Sequence, residues 1–323
     1  MTGKDICIAL FSVLLLSLNI VSSKMGIEHF PPFLFTTLRF LSVLPLLYFF
    51  PIRAISLRNL ALISLCWGVL YLGCINLALF FGVSAGVCIL VIQSNVFVTM
   101  LLSIFFLKKW PTLPQVLGAI VGFLGVSLIC LITNLTASGI GLLLLIVASI
   151  SFSIGMLLVK RCNSDPFALN VWISLLSAVP MSFLSLVVED NIFEILASAT
   201  LLQWGTVLFA GWVSMLLAGA SWTYIVKKYD LNLVAPFRLV VPIFGVIFAT
   251  LILGEKYPML TWVGAGIVTG GLILTQGDSL YKLFFNLQQR NRRDHTHENI
   301  FKTSIPREKK QRGLCDHRTP LRR

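Results

Sequence analysis

Two arginines stand inside apolar runs, where a charge is costly: Arg39 in FLFTTLRFLSV and Arg238 in NLVAPFRLVVPIFGV. A guanidinium grips a carboxylate through two parallel hydrogen bonds. In an apolar setting it needs a water-filled cavity, a carboxylate or backbone carbonyls around it. The amides Asn19, Asn76, Gln93 and Asn95 lie in other apolar runs and can hold an ammonium or a hydroxyl group. Trp222 and Tyr71 are set deep enough to pack on a solute. Pro236 and Pro242 flank Arg238, and each removes a helix hydrogen bond, so the helix is expected to break beside the charge. Asn19, Arg39, Asn76, Gln93, Asn95, Trp222 and Arg238 are thus the candidate substrate-binding residues, suited to a small zwitterion or its derivative. A plainer reading stands beside each. Arg238 can snorkel to an interface near Asp230, the amides can bond neighbouring helices, and most buried aromatics are packing.

Enzyme chemistry finds no foothold. The chain has no H-E-x-x-H, G-x-S-x-G, P-loop or C-x-x-C signature. Its seven cysteines, at 7, 66, 74, 88, 130, 162 and 315, are scattered without metal-ligand spacing. His29 falls in a loop, and His295, His297 and His317 fall near the C-terminal end. No cofactor, metal or catalytic residue is expected. Without a P-loop, uphill movement of a solute must draw on exchange or on an ion gradient, such as protons.

The elements that must position these residues are membrane spans. Of 323 residues 57% are hydrophobic and only 12% charged, and mean hydropathy is +0.91, far above ordinary globular domains. Residues 232–276 form two apolar runs hinged at Gly254-Glu255-Lys256-Tyr257-Pro258, which reads as a helical hairpin. Residues 85–129 repeat it. An offset of 147 superposes Val87 on Val234, Phe97 on Phe244, Lys109 on Lys256 and Pro111 on Pro258, and a one-residue adjustment brings Gly118 onto Gly264 and Gly125 onto Gly271. A weaker echo sets Ser17 through Lys24 against Ser153 through Lys160. Such internal repeats are how membrane transporters build one central site open to each side in turn.

Ten spans are expected, at about Asp5–Ser22, Pro32–Phe50, Arg58–Phe80, Ala85–Leu107, Leu113–Ile132, Ser138–Val159, Phe167–Val188, Gln203–Val226, Val234–Leu253 and Met259–Gln276. With a cytoplasmic N-terminus, nine basic residues fall in inner loops against Lys24 and Lys256 in outer ones, a positive-inside bias. Five spans per half is an odd number, so the second copy must run upside down. The expected fold is therefore all-α: a polytopic membrane protein of ten helices in two inverted five-helix repeats, 1–133 and 134–278, with both termini cytoplasmic. Glycines spaced as Gly118-x3-Gly122 and Gly266-x3-Gly270 are expected to join the fourth span to the fifth and the ninth to the tenth.

Beyond Ser279 the composition turns basic, and from Tyr281 onward twelve Lys/Arg face four Asp/Glu, +8 of the chain's +12. Residues 279–323 are expected to be a solvated, disordered cytoplasmic tail. Its cluster Arg307-Glu308-Lys309-Lys310-Gln311-Arg312 is suited to anionic lipid headgroups rather than nucleic acid.

The chain resembles the EamA family of the drug/metabolite transporter superfamily. The resemblance rests on Leu18-Asn19, Lys24-Met25-Gly26, Pro32, Thr37-Leu38-Arg39-Phe40, Val234-Ala235-Pro236, Val241-Pro242 and Leu253-Gly254-Glu255. The stretch Leu90-Val91-Ile92-Gln93 with Phe97 and Thr99-Met100-Leu101 looks like the branch that exports cysteine and O-acetylserine. It departs from the pattern at Asn95, where many members have a helix proline, at Lys108, where they have an acid, and at Ser17, where Trp is common. The resemblance implies ten helices and efflux of a small polar metabolite, an amino acid or derivative, across a bacterial inner membrane. Uptake of similar solutes and a non-transporting structural role are the competing readings.

Overall fold

A computed structural model describes residues 1–50, 56–107, 110–134, 139–162, 164–229, 234, 237–238 and 240–275, without the side chains at 103, 105–107, 133 and 134. The tail 279–323, Pro236, Asp230, Lys108 and Lys109 lie outside the described residues. Every regular element among the described residues is helical: α1 (Gly3–Ile27), α2 (Pro32–Tyr48), α3 (Leu57–Phe80), α4 (Ala85–Ile92), α5 (Asn95–Leu107), α6 (Leu113–Asn134), α7 (Gly139–Arg161), α8 (Pro166–Val188), the short α9 (Ile192–Ser198), α10 (Leu201–Lys228), α11 (Val240–Leu253) and α12 (Met259–Thr275). Seven spans are long and apolar enough to cross a bilayer, with α4 and the start of α5 counted as one. α2, α11 and α12 are shorter apolar helices.

The side chains are arranged inside out relative to a soluble protein. Phe11, Phe123, Leu124, Leu131, Leu143, Phe183, Val187 and Leu251 are exposed, whereas Ser12, Ser17, Thr36, Ser149, Ser153, Ser174 and Ser177 are buried. That inversion is stable only where the solvent is itself apolar. The chain is a multi-pass membrane protein. Buried hydroxyls bond back within their own helices, as Ser17 donates to the Val13 carbonyl at 2.8 Å and Ser174 to that of Asn170 at 2.8 Å. Others bridge helices, as Ser153 of α7 donates to the Asn95 carbonyl at 3.0 Å.

Three departures from regular α geometry sit at mid-helix. α3 winds as a π-helix over Ser64–Leu72, and α10 over Phe209–Gly219. Between α4 and α5 the chain tightens at Gln93 and Ser94, whose N–H groups bond the carbonyls of Leu90 and Val91 at 3.2 and 3.0 Å. That break needs no proline; Ser94 Oγ donates to Ser149 Oγ at 3.0 Å and anchors it to α7. Pro242 is buried in the first turn of α11 as described, where its missing N–H costs no intrahelical bond.

The ends of the helices are tied across the molecule. α2 has no side-chain cap of its own after Pro31. The Glu189 carboxylate supplies one by accepting from the N–H groups of Phe33 (2.7 Å) and Leu34 (2.8 Å). At the start of α4 the Glu255 carboxylate accepts from Ala85 (2.8 Å) and Gly86 (3.2 Å) in the same way. Gly254, with φ +66°, turns the chain after α11 so that Glu255 reaches it. Lys24 Nζ closes the end of α3 by donating to the Leu79 carbonyl at 3.0 Å. At the other end of α1, Asp5 pairs with Lys228 at 3.1 Å and joins the end of α10.

The glycine-spaced faces pair differently from the expectation. α6 and α12 pack closely on each other. A Cβ on Gly125 would stand 2.7 Å from the Val268 nitrogen, and one on Gly271 would stand 2.6 Å from the Gly122 Cα. Gly122 also seats the Phe97 ring, which does join α5 to α6. Gly266 and Gly270 face open space, so the glycine-to-glycine contact runs between the fifth and tenth apolar runs, and of the two hairpins only the first has the expected glycine contact, through Gly122.

Candidate functional site

Eight helices converge on one cavity. Its volume is about 110 Å³, many times the ~10–15 Å³ that a single water needs. Its floor and walls come from both halves of the chain: Leu16, Asn19 and Ile20 of α1, Arg39 of α2, Trp67 and Tyr71 of α3, Gln93 beside the α4 break, Phe152 of α7, Asn170 of α8, Ser214 and Trp222 of α10, and Arg238. The two π segments contribute Trp67, Tyr71 and Ser214, so the irregular winding falls where the cavity is.

Five of the seven candidate residues therefore line one space: Asn19, Arg39, Gln93, Trp222 and Arg238. Arg39 is 1% exposed. Its Nη2 donates to Asn19 Oδ1 at 3.1 Å and to the Ala210 carbonyl at 2.9 Å, while its Nε and Nη1 are buried without a partner. Arg238 is held by rings: its guanidinium lies 4.8 Å from the Phe152 centroid and 5.3 Å from that of Trp222. Phe152 also stacks on Trp67 at 5.6 Å and meets Tyr71 at 4.8 Å, and Trp67 Nε1 donates to the Phe152 carbonyl at 3.1 Å. Tyr71 lies within electrostatic reach of both arginines. Among the described residues that line the cavity none is Asp or Glu.

The other two amides sit elsewhere. Asn76 is fully buried and donates to Thr36 Oγ1 at 2.8 Å, which ties α3 to α2. Asn95 opens α5 beyond the break; it is buried outside the cavity lining, and its carbonyl accepts from Ser153. Of the two prolines, Pro242 lies one residue from the lining Val241, and Pro236 lies outside the described residues.

Sequence reasoning passed over Phe152 and Asn170. The faint echo between α1 and α7 held the signal for the first: the offset that sets Ser153 on Ser17 sets Phe152 on Leu16, and both line the cavity. Similarly, Pro32 and Pro166 each open a helix, and seven residues further on come Arg39 and Ile173, both at the cavity.

A multi-pass helical membrane protein with a cavity that is walled by both halves of the chain and holds two arginines is the class that fold and site define. The chain belongs to the EamA-like transporter family, whose profile matches it twice, over residues 3–131 and 139–276. A protein of Salmonella typhimurium strain LT2, named probable amino-acid metabolite efflux pump, is 29% identical over 285 residues, 85% of this chain and 95% of the relative. One of the same name from Escherichia coli strain K12 is 27% identical over 286 residues, with the same shares. A Bacillus subtilis strain 168 protein named uncharacterized transporter YoaV is 26% identical over 79% of this chain and 90% of its own length. A crystal structure at 15% identity has the same fold, with a TM-score of 0.62 over 85% of this chain and 96% of that one. The protein is a membrane transporter of the family, with a small molecule as its cargo.

Proposed function

We propose that this protein is a secondary transporter that exports a small polar metabolite, an amino acid or a derivative such as cysteine or O-acetylserine, by alternating access. The observation that carries the reading is the single cavity in which Arg39 and Asn19 of one half meet Trp222 and Arg238 of the other. A guanidinium with unpartnered Nε and Nη1 is set to take a carboxylate, and the printed names of two relatives point to amino-acid metabolites as cargo. Ten spans in two inverted repeats, seated in a bacterial inner membrane with both termini inside, make the two faces of that cavity exchangeable. The family match in two adjoining segments supports the repeats. Export draws on exchange or on an ion gradient, with protons the first candidate ion. The basic segment 279–323 meets anionic lipid, and deletion of Asn286–Arg323 is expected to leave transport per inserted molecule nearly unchanged.

Metabolite profiles of the medium test the function. Overexpressing cells are expected to enrich an amino acid or derivative outside, and deleted cells to retain it. Depletion of the same solute from the medium would reverse the direction, and unchanged media with normal protein levels would remove the transport reading. For the topology, a cysteine at Asn191 should react with an impermeant reagent in intact cells and one at Ser56 should not; the opposite pattern would invert the assignment.

A further inference from the structure

We infer that the cavity selects its cargo by net charge and takes a carboxylate without a free ammonium group, of the N-acylated amino-acid class, ahead of the zwitterion. This rests on the reading of the cavity as the transport site. Two guanidiniums, that of the buried Arg39 and that of the half-buried Arg238, face the same space, and no Asp or Glu stands among its described lining residues. The donors there outnumber the acceptors. Arg39 Nε, Arg39 Nη1 and Trp222 Nε1 are buried without partners, and Arg238 lies against two aromatic faces.

The groups left for an ammonium are neutral ones, Tyr71, Gln93, Asn170 and Ser214, with no carboxylate among the described lining residues to balance its charge. Asn19 Oδ1 already accepts from Arg39, and the Phe152 and Trp222 faces that could receive a cation carry the Arg238 guanidinium. Placing a third positive charge beside two guanidiniums, with no carboxylate among the described lining residues, is unfavourable, and the effect is large where water is scarce. Acylation removes that charge and adds an acyl oxygen, an acceptor for the spare donors. The acyl chain itself meets Leu16, Ile20, Ile89 and Ile92, the apolar part of the wall.

O-acetylserine and N-acetylserine provide a sharp test, because they are isomers of the same size in which the acetyl group sits either on oxygen, leaving a charged ammonium, or on nitrogen, removing that charge. The purified full chain is compared for thermal stabilisation by each isomer, in mildly acidic buffer that keeps the ester from migrating to nitrogen. Phenylalanine, N-acetylphenylalanine and the neutral amide of N-acetylphenylalanine form a second series. In each pair the anion is expected to act at about tenfold lower concentration than the zwitterion, the neutral amide to be silent, and Arg39→Gln to erase the preference. Zwitterions that match or exceed the anions overturn the inference, as does silence from both pairs with the folded parent protein. Counterflow in proteoliposomes separates this from the transport reading. Anions that bind but do not cross sink transport and leave the charge selection standing; zwitterions that cross with no preference for anions do the reverse.

Discussion

Asn19→Leu is expected to destabilise the protein more than Arg39→Met, although Arg39 makes more bonds. In the parent, Arg39 Nη2 has two acceptors, Asn19 Oδ1 and the Ala210 carbonyl, and the rest of the guanidinium has none. Removing the Asn19 amide leaves a buried cation with one acceptor, and a hydrogen bond to a charged group is worth ~1.5–3 kcal/mol. A loss of ~2 kcal/mol follows. Arg39→Met instead orphans two neutral acceptors at ~1–3 kcal/mol each, but it also ends the burial of a charge, whose effective cost is several kcal/mol. The opposing terms nearly cancel, so a net change within ~1 kcal/mol is expected. The double variant should be no less stable than Asn19→Leu alone, because the methionine has no unmet donors; such non-additivity is expected of residues in direct contact. Denaturant unfolding in detergent, followed by tryptophan fluorescence, measures all three. If Arg39→Met proves the most damaging of the set, the guanidinium is a structural clamp and its unpaired nitrogens are not kept for a ligand.

Burial pushes the Glu189 carboxyl above its ordinary range, with the Phe33 and Leu34 N–H groups pulling it part way back. A carboxyl whose folded pKa is raised adds stability that is complete below the ordinary value of about 4.3 and is lost as pH rises through the folded value. Thermal stability in detergent should therefore decline across that mildly acidic window, and Glu189→Gln should flatten the decline; an unchanged slope would contradict the assignment. At the α6–α12 seam, Gly125→Leu must displace the α12 backbone at Val268, and overpacking of this kind costs ~1–3 kcal/mol. Gly266→Leu, which meets open space, should leave the melting temperature within error of the parent, and equal effects at the two sites would show that the seam is misplaced.

What could be read from residues alone was whatever is expensive in lipid. Arg39, Arg238, Asn19 and Gln93 stood out because a charge or an amide in an apolar run demands an explanation, and they do share one cavity. Asn76 stood out for the same reason and lies elsewhere, since an amide bonded to Thr36 and one left for a solute have identical sequence signatures. Phe152 carries no such cost, and an aromatic among serines is invisible until the fold sets Trp67, Tyr71 and Arg238 around it. The break at Gln93 and the π-helical turns of α3 and α10 were equally hidden. No proline or glycine marks Gln93 and Ser94, and the break is held by Ser149, distant in sequence. Glycine spacing told which faces of α6 and α12 allow close approach. It could not tell that the two faces meet each other, because that choice belongs to the assembly of the halves.

Arg238 and Arg39 are proposed as the grip on a carboxylate that crosses the membrane. Uptake of a labelled amino acid and of its N-acetyl derivative into inverted membrane vesicles, compared for the parent and Arg238→Lys at equal levels of inserted protein, tests this most directly. A lysine keeps the charge but loses the planar fork and its stacking between Phe152 and Trp222. The expected result is a fall of about tenfold or more in transport of whichever solute the parent carries, the scale of one lost charge-assisted bond. Transport by Arg238→Lys at the parent's rate and affinity would contradict the account and leave Arg238 a residue of packing alone.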